Sequence, residues 1–327
     1  MAICDVCFRH CHIEEGALGF CGARTCRDGE VVCANYGRVT ALALDPIEKK
    51  PLAAFYPGSM ILSVGSYGCN LRCPFCQNHD ISWSETALAM ARIPGSFESR
   101  AGNAADAVAS ATAFAQYGIR LLSPEDITAI AESCRKDGNI GVAFTYNEPL
   151  IGYEFVRDTA RLVKERGMKN VLVTNGTADL TVLEELLPYI DAMNIDLKGF
   201  GEAYYKKLDG SLDQVKAFIA RAVRDCHVEI TTLIVPGEND TDGEMRELSA
   251  WISQLETGSL AGAESAEGQS YATDASTESA GRGIPLHISR FFPRFHMTDR
   301  PATDVALVYH LADVARENLD TVLTGNC

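Results

Sequence analysis

Positive charge is scarce in this chain. Twenty-nine Lys and Arg stand against 44 Asp and Glu, for a formal net charge of −15. Nucleic acids and anionic membranes are bound by clustered Lys and Arg, so neither partner is expected. Long apolar runs are missing too. The uncharged stretch from Pro51 to Asn70 contains Pro57, Gly58, Gly65 and Gly68, which excludes a spanning helix there. The N-terminus, Met1-Ala2-Ile3-Cys4-Asp5, has no basic segment leading into an apolar run, so no secretory signal is visible and a cytoplasmic protein is expected. No G-x-G-x-x-G follows the first strand-like segment, which weighs against a dinucleotide-binding fold. What remains is a chain of 327 residues, 46% hydrophobic and 22% charged, able to bury a sizeable core.

Cysteine is the residue in excess. Nine of the twelve lie in the first 76 residues. In a reducing compartment, clustered thiols read as metal or redox sites rather than as disulfides.

Three regions are expected. Residues 1–40 are a small Cys-rich module, residues 41–59 an extended connector with Pro46, Pro51 and Pro57, and residues 60–327 an α/β unit. In the last, strands are predicted at 60–66, 140–146, 170–174, 192–197, 228–235, 284–290 and 321–324. Helices fall between them, the first opening at Ser123-Pro124 with Ser as cap and Pro in the first turn. Residues 85–118 and 256–283, rich in Ala, Gly and Ser, read as insertions. Alternating strands and helices imply a parallel sheet with right-handed crossovers, either doubly wound or a (β/α) barrel. Both place chemistry at the C-terminal ends of the strands.

The chemistry centres on Cys69-Asn70-Leu71-Arg72-Cys73-Pro74-Phe75-Cys76, a C-x3-C-x2-C spacing directly after the first strand of the repeat. Three thiolates on one tight loop suit three irons of a 4Fe-4S cluster and leave the fourth iron open for a small molecule. A zinc site completed by His79 is the competing reading. In the N-terminal module, Cys4, Cys7, Cys11 and Cys21 have the count that a tetrahedral zinc or a second iron–sulfur cluster requires, and free thiols are the plainer alternative.

The C-x3-C-x2-C loop, with an aromatic residue before its last Cys, resembles the signature of the radical SAM superfamily. The likeness extends through Tyr36-Gly37-Arg38-Val39, Asp45-Pro46-Ile47-Glu48-Lys49-Lys50, Thr145-Tyr146-Asn147-Glu148-Pro149, Val173-Thr174-Asn175-Gly176, Asn194-Ile195-Asp196-Leu197-Lys198, Glu229-Ile230-Thr231 and His287-Ile288-Ser289-Arg290. Together these segments resemble the AmmeMemoRadiSam-system radical SAM enzymes, which are similar to pyruvate formate-lyase activating enzymes. The resemblance implies a partial (β/α)6 radical SAM barrel behind the Cys-rich module. It also implies a 4Fe-4S cluster that reductively cleaves S-adenosylmethionine, and a 5′-deoxyadenosyl radical that takes hydrogen from a substrate. Expected partners are a one-electron donor such as flavodoxin or ferredoxin, and either Memo-like and AMMECR-like proteins or a glycyl-radical enzyme. The family pattern usually continues into a further Cys pair, so the ending at Cys327 is abrupt beside it.

Carried over residue by residue, the resemblance assigns cofactor contacts to strand ends. Asn147 and Glu148 stand where relatives carry Gly-Gly-Glu, which receives the methionine ammonium. Thr174 and Asn175 are candidates for a ribose or methionine contact. Asp196 and Lys198 are two apart and share one side of a strand, with Lys198 placed for the methionine carboxylate. His287 is assigned to the adenosyl end. Each has a plainer reading as a turn residue, a private ion pair or a buried histidine. The alternative for the whole chain is a non-catalytic iron–sulfur or zinc protein, an electron carrier or redox sensor. Charged residues converging on one barrel rim weigh against it.

Overall fold

The computed structural model describes residues 1–91, 118–258 and 280–327. The expected insertions at 85–118 and 256–283 lie for the most part outside the described residues. Within the first, Glu85–Ala91 is helical.

Eight strands form one sheet: β1 (Ala41–Pro46), β2 (Met60–Gly65), β3 (Asn139–Phe144), β4 (Lys169–Thr174), β5 (Ala192–Asp196), β6 (His227–Ile234), β7 (Leu286–Arg290) and β8 (Val322–Gly325). Their spatial order is their order in the chain. From β2 to β8 every neighbouring pair is parallel. The crossovers carry α1 (Pro124–Ser133), α2 (Tyr153–Glu165), α3 (Leu180–Leu186), α4 (Leu212–Ala222), α5 (Asp242–Ser253) and α6 (Val305–Arg316). Six strand–helix units followed by a last strand make the partial (β/α)6 barrel. The first helix opens as its residues dictate: Ser123 and Asp126 form a capping box around Pro124. Asp179, Ser211, Thr241 and Asp304 cap α3 to α6 in turn.

Side chains alternate along each strand. Val228, Ile230 and Ile234 of β6 and Leu286 and Ile288 of β7 join helix residues such as Phe218, Leu248 and Leu311 in the main core. The opposite faces of β2 to β5 contribute Ile61, Ala143, Val171 and Ala192 to a second cluster, which Ile47, Leu52 and Phe55 cover. The segment read as an extended connector is thus strand β1 in its first half and a plug in its second. Its pairing with β2 is antiparallel, running from Ala41 opposite Gly65 to Pro46 opposite Met60.

A buried carboxylate holds the plug. Glu229 accepts from the backbone N–H groups of Ala53 (2.9 Å) and Ala54 (2.8 Å). Its oxygens also meet Nε2 of His227 (3.0 Å) and Nε2 of His287 (2.6 Å). Asn194 adds a bond to the Pro51 carbonyl at 2.8 Å. Residues 1–40 form short antiparallel pairs, Ala2–Ile3 with His12–Ile13 and Arg24–Arg27 with Glu30–Cys33. Val6, Ile13 and Val39 from this segment enter the main core. Among the described residues, no helix is long and apolar enough to cross a membrane.

Burial by itself would raise the Glu229 carboxyl. The two histidines and two backbone donors outweigh it and hold the group at about 2, below its usual 4.5. A depressed carboxyl adds stability that is present above the unfolded value and lost as pH falls through the folded one. Glu229→Gln is expected to cost on the order of 3 kcal/mol at pH 7 and to flatten the loss of stability between pH 4.5 and about 2. Urea melts across that range measure both. An acid limb as steep in the variant as in the parent would show that the plug does not depend on this carboxylate.

Candidate cofactor site

The loop after β2 carries three thiols, Cys69, Cys73 and Cys76, all free and none exposed. Its entry is a close backbone contact. Gly68 has φ +92°, and a Cβ there would lie 2.6 Å from the Cys21 carbonyl oxygen, so glycine is required. The next residue donates to the same carbonyl, Cys69 N–H to Cys21 O at 3.1 Å. Arg9 donates to the Asn70 carbonyl (2.8 Å) and Arg72 to the Phe20 carbonyl (2.6 Å), while both guanidinium groups stack on Phe20. The N-terminal module therefore forms one wall of the thiol loop.

Burial pushes all three thiols up. Glu148 and the neighbouring sulfurs raise Cys69 further, and Cys73 reaches about 11 despite Lys198 nearby. Metal binding requires thiolates and releases their protons, so these groups are costly to ionise until a metal takes them. Among the described residues, no three His, Cys, Asp or Glu side chains stand at the spacing of a single ion. His79 is engaged elsewhere: its Nδ1 is 3.1 Å from the Cys76 carbonyl, Nε2 is 3.1 Å from Asp80, and the ring stacks on Phe295. The three thiols without this histidine fit a cluster, which needs several thiolates around several irons, better than one zinc.

Glu148, four residues past β3 and capping the turn Pro149–Gly152, is buried. Its carboxylate accepts from Thr174 Oγ1 (2.7 Å), Asn175 N–H (2.8 Å) and Leu150 N–H (3.1 Å). Burial outweighs these bonds and lifts it to about 7. Asn175 in turn donates to Asn70 Oδ1 (2.9 Å) and approaches Cys69 Sγ at 3.8 Å, and Asn70 donates to Thr177 Oγ1 (2.8 Å). Glu148, Thr174, Asn175 and Cys69 thus form one connected group.

At the end of β5, Lys198 Nζ meets Asp196 Oδ2 at 2.6 Å. Burial would lower Lys198, but Asp196 and Cys73 keep it charged. Tyr205 OH accepts from the Lys198 N–H at 3.0 Å. The Tyr204 hydroxyl, close to both Cys73 and Lys198, is buried with no hydrogen-bond partner among the described residues. A buried hydroxyl without a partner is costly, and it marks this corner as a place where a polar ligand fits.

Two assigned residues stand apart. Asn147 is occupied by the thiol loop: it accepts from Ser66 N–H (3.0 Å) and donates to the carbonyls of Tyr67 (3.3 Å) and Gly68 (3.2 Å). His287 is committed to Glu229 beside the plug and has no hydrogen bond to the Glu148 group or to Lys198. Asn70, Thr177, Tyr204 and Tyr205 were not singled out by sequence. Asn70 lies inside the motif, but its side-chain partners Thr177 and Asn175 are 107 and 105 residues away.

The model of the Radical SAM superfamily matches residues 63–250, more than half of the chain. The uncharacterised protein MJ0808 of Methanocaldococcus jannaschii is 33% identical over 327 residues, covering 99% of this chain and 80% of that protein. The pyruvate formate-lyase 1-activating enzyme of Escherichia coli K12 is 26% identical over 195 residues, 58% of this chain and 66% of the enzyme. Among solved structures, Streptococcus suis SuiB aligns with a TM-score of 0.50 at 12% identity, over 80% of this chain and 48% of SuiB, a likeness of fold alone. The chain belongs to the radical SAM superfamily, and membership implies a 4Fe-4S cluster and S-adenosylmethionine.

Replacing Glu148 tests the connected group. In Glu148→Gln the new amide faces the N–H of Leu150 or of Asn175 whichever way it turns. A donor then opposes a donor in a buried place, at a cost of about 1–3 kcal/mol. Thermal melts of the metal-free protein should show the drop. An unchanged midpoint would mean that these bonds do not stabilise the strand ends.

Proposed function

We propose that Cys69, Cys73 and Cys76 hold the 4Fe-4S cluster and that the adjoining strand ends bind S-adenosylmethionine. The observation that carries this reading is the convergence of the three thiols with the Asp196–Lys198 pair and the Glu148–Thr174–Asn175 group. When bound, cluster and cofactor supply a 5′-deoxyadenosyl radical that abstracts hydrogen from an otherwise unreactive C–H bond. The chain's own part is binding, orientation and exclusion of water.

In this reading Lys198 donates to the methionine carboxylate. Asp196 holds the ammonium of Lys198 in place, and Tyr205 fixes its backbone. The unpartnered Tyr204 hydroxyl gains a partner. Glu148 acts through what it anchors, setting Asn175 against Cys69 and Thr174 beside it. Asn147 shapes the loop from behind. His287 is left with a contact to the adenosyl end only if it keeps Glu229 as its second partner.

For the hydrogen donor, the likeness to the E. coli activating enzyme supports a glycine of a partner protein, which makes this a pyruvate formate-lyase activating enzyme-like oxidoreductase. The AmmeMemoRadiSam resemblance supports a different arrangement, with Memo-like and AMMECR-like partners and a small or peptidyl substrate. Both take one electron from a flavodoxin- or ferredoxin-type donor in the cytoplasm.

Anaerobically reconstituted and reduced protein is expected to convert S-adenosylmethionine to 5′-deoxyadenosine and methionine, followed by chromatography. Cys73→Ala should lose the visible absorbance of this site and all cleavage. Cleavage at the parent's rate in that variant would falsify the reading. Lys198→Ala should keep its iron and weaken cofactor binding by on the order of 2–5 kcal/mol, since it strips the partner from a buried charged group. Titration calorimetry giving the parent's Kd would move the methionine site elsewhere.

A further inference from the structure

The six cysteines of residues 1–40 fall into two sets. Cys26 donates to Glu15 Oε2 (3.4 Å) and Cys33 to Asn35 Oδ1 (3.1 Å). The other four, Cys4, Cys7, Cys11 and Cys21, line a single cavity whose wall includes Arg9 and Arg24. Three of the four are buried, Cys11 is half-buried, and all are free. His10 and His12, the other ligand candidates of this segment, are exposed and outside the cavity wall. Sequence spacing leaves the ligand set among these eight side chains open, and the fold selects four.

The backbone builds this cavity. Cys4 N–H donates to the Cys11 carbonyl at 2.9 Å, and His10, at φ 42°, turns the chain back so that its N–H meets the Cys7 carbonyl at 3.1 Å. The N–H groups of Val6, Arg9 and Ala23 face the sulfurs of Cys4, Cys7 and Cys21, each two residues on. Arg9 and Arg24 offset the negative charge that four thiolates bring, although Arg24 also pairs with Glu154 at 2.7 Å.

We propose that Cys4, Cys7, Cys11 and Cys21 bind a second 4Fe-4S cluster. One observation favours iron–sulfur over zinc, the adjacency of the two thiol sets: the Cys21 carbonyl accepts the Cys69 N–H at 3.1 Å, and the Asn70 side chain reaches Cys7. One hydrogen bond separates a ligand of the second centre from a ligand of the first. Resting on the assignment of Cys69, Cys73 and Cys76 above, this makes the second cluster a station for one electron. It accepts an electron from a low-potential flavin or iron–sulfur protein, which is oxidised by one, and returns to its own oxidised state on passing that electron to the first cluster.

The test uses the full chain, reconstituted anaerobically with iron and sulfide, with zinc assayed in parallel. The parent should carry about eight iron, as two clusters require. Cys69→Ala/Cys73→Ala/Cys76→Ala should keep about four iron and about four acid-labile sulfide. Its dithionite-reduced form should give a simple S = 1/2 EPR signal. Cys7→Ala/Cys11→Ala should also keep about four iron, now those of the first site. The reduced parent should show a spectrum broadened by coupling between the two clusters, which neither variant shows. A loop triple variant without iron, or with about one zinc in its place, overturns the proposal. Cys7→Ser/Cys11→Ser, with the same secondary structure by circular dichroism, separates lost ligands from lost folding. If the N-terminal variant loses all iron and the loop variant none, the second site stands and the assignment of the first fails. The reverse result leaves the first site and removes the second.

Discussion

The hydrogen bond from Cys69 to the Cys21 carbonyl is the contact around which this molecule is organised. It requires a glycine at position 68, because a side chain there would strike the same carbonyl. It also explains why the thiol loop is framed on two sides. Behind it, Asn147 takes up the donor and acceptors of residues 66–68. In front, Phe20 lies between the guanidinium groups of Arg9 and Arg72. Tyr67, Leu71 and Phe75 anchor the loop by burial. Buried polar contacts at both faces fix it further, and their geometry is strict because an unmet buried donor costs more than a met one gains.

Two buried carboxylates divide the barrel between them. Glu229 has two histidines and two backbone N–H groups, and is held at about 2. Glu148 has three donors but lies near Asp196 and Cys69, and burial carries it to about 7. The first is a structural anion that fastens the plug of residues 47–56. The second lies beside Cys69 of the thiol loop, near the Asp196–Lys198 pair.

Several elements were legible because their signals are local. The strand expected at 60–66 is Met60–Gly65, and the helix expected to open at Ser123 does so through its own capping box. The C-x3-C-x2-C loop was read from eight consecutive residues. Strand β1 was not seen, because Pro46 and its neighbours show no alternation and its pairing partner alone makes it a strand. The short helix Glu202–Lys207 was missed as well, since it is under two turns and its buried face is only Tyr204 and Tyr205. Glu229 appeared in sequence only as part of a resemblance. Its role depends on Ala53 and Ala54, 176 and 175 residues away.

Sequence alone determined the alternation of strands and helices and the position of the three-thiol loop after a strand, and the family resemblance marked the candidate charges at strand ends. The first two follow from periodicity and spacing over a few residues. Tertiary structure decided which side chains meet. It joined Glu148 to Asn175 and Cys69, kept Lys198 with Asp196 beside Cys73, and turned His287 to Glu229. It also chose four of six N-terminal thiols for one cavity. These pairings join residues far apart in the chain, and no local pattern encodes them. They are set by which buried donors and acceptors the packed barrel leaves facing one another.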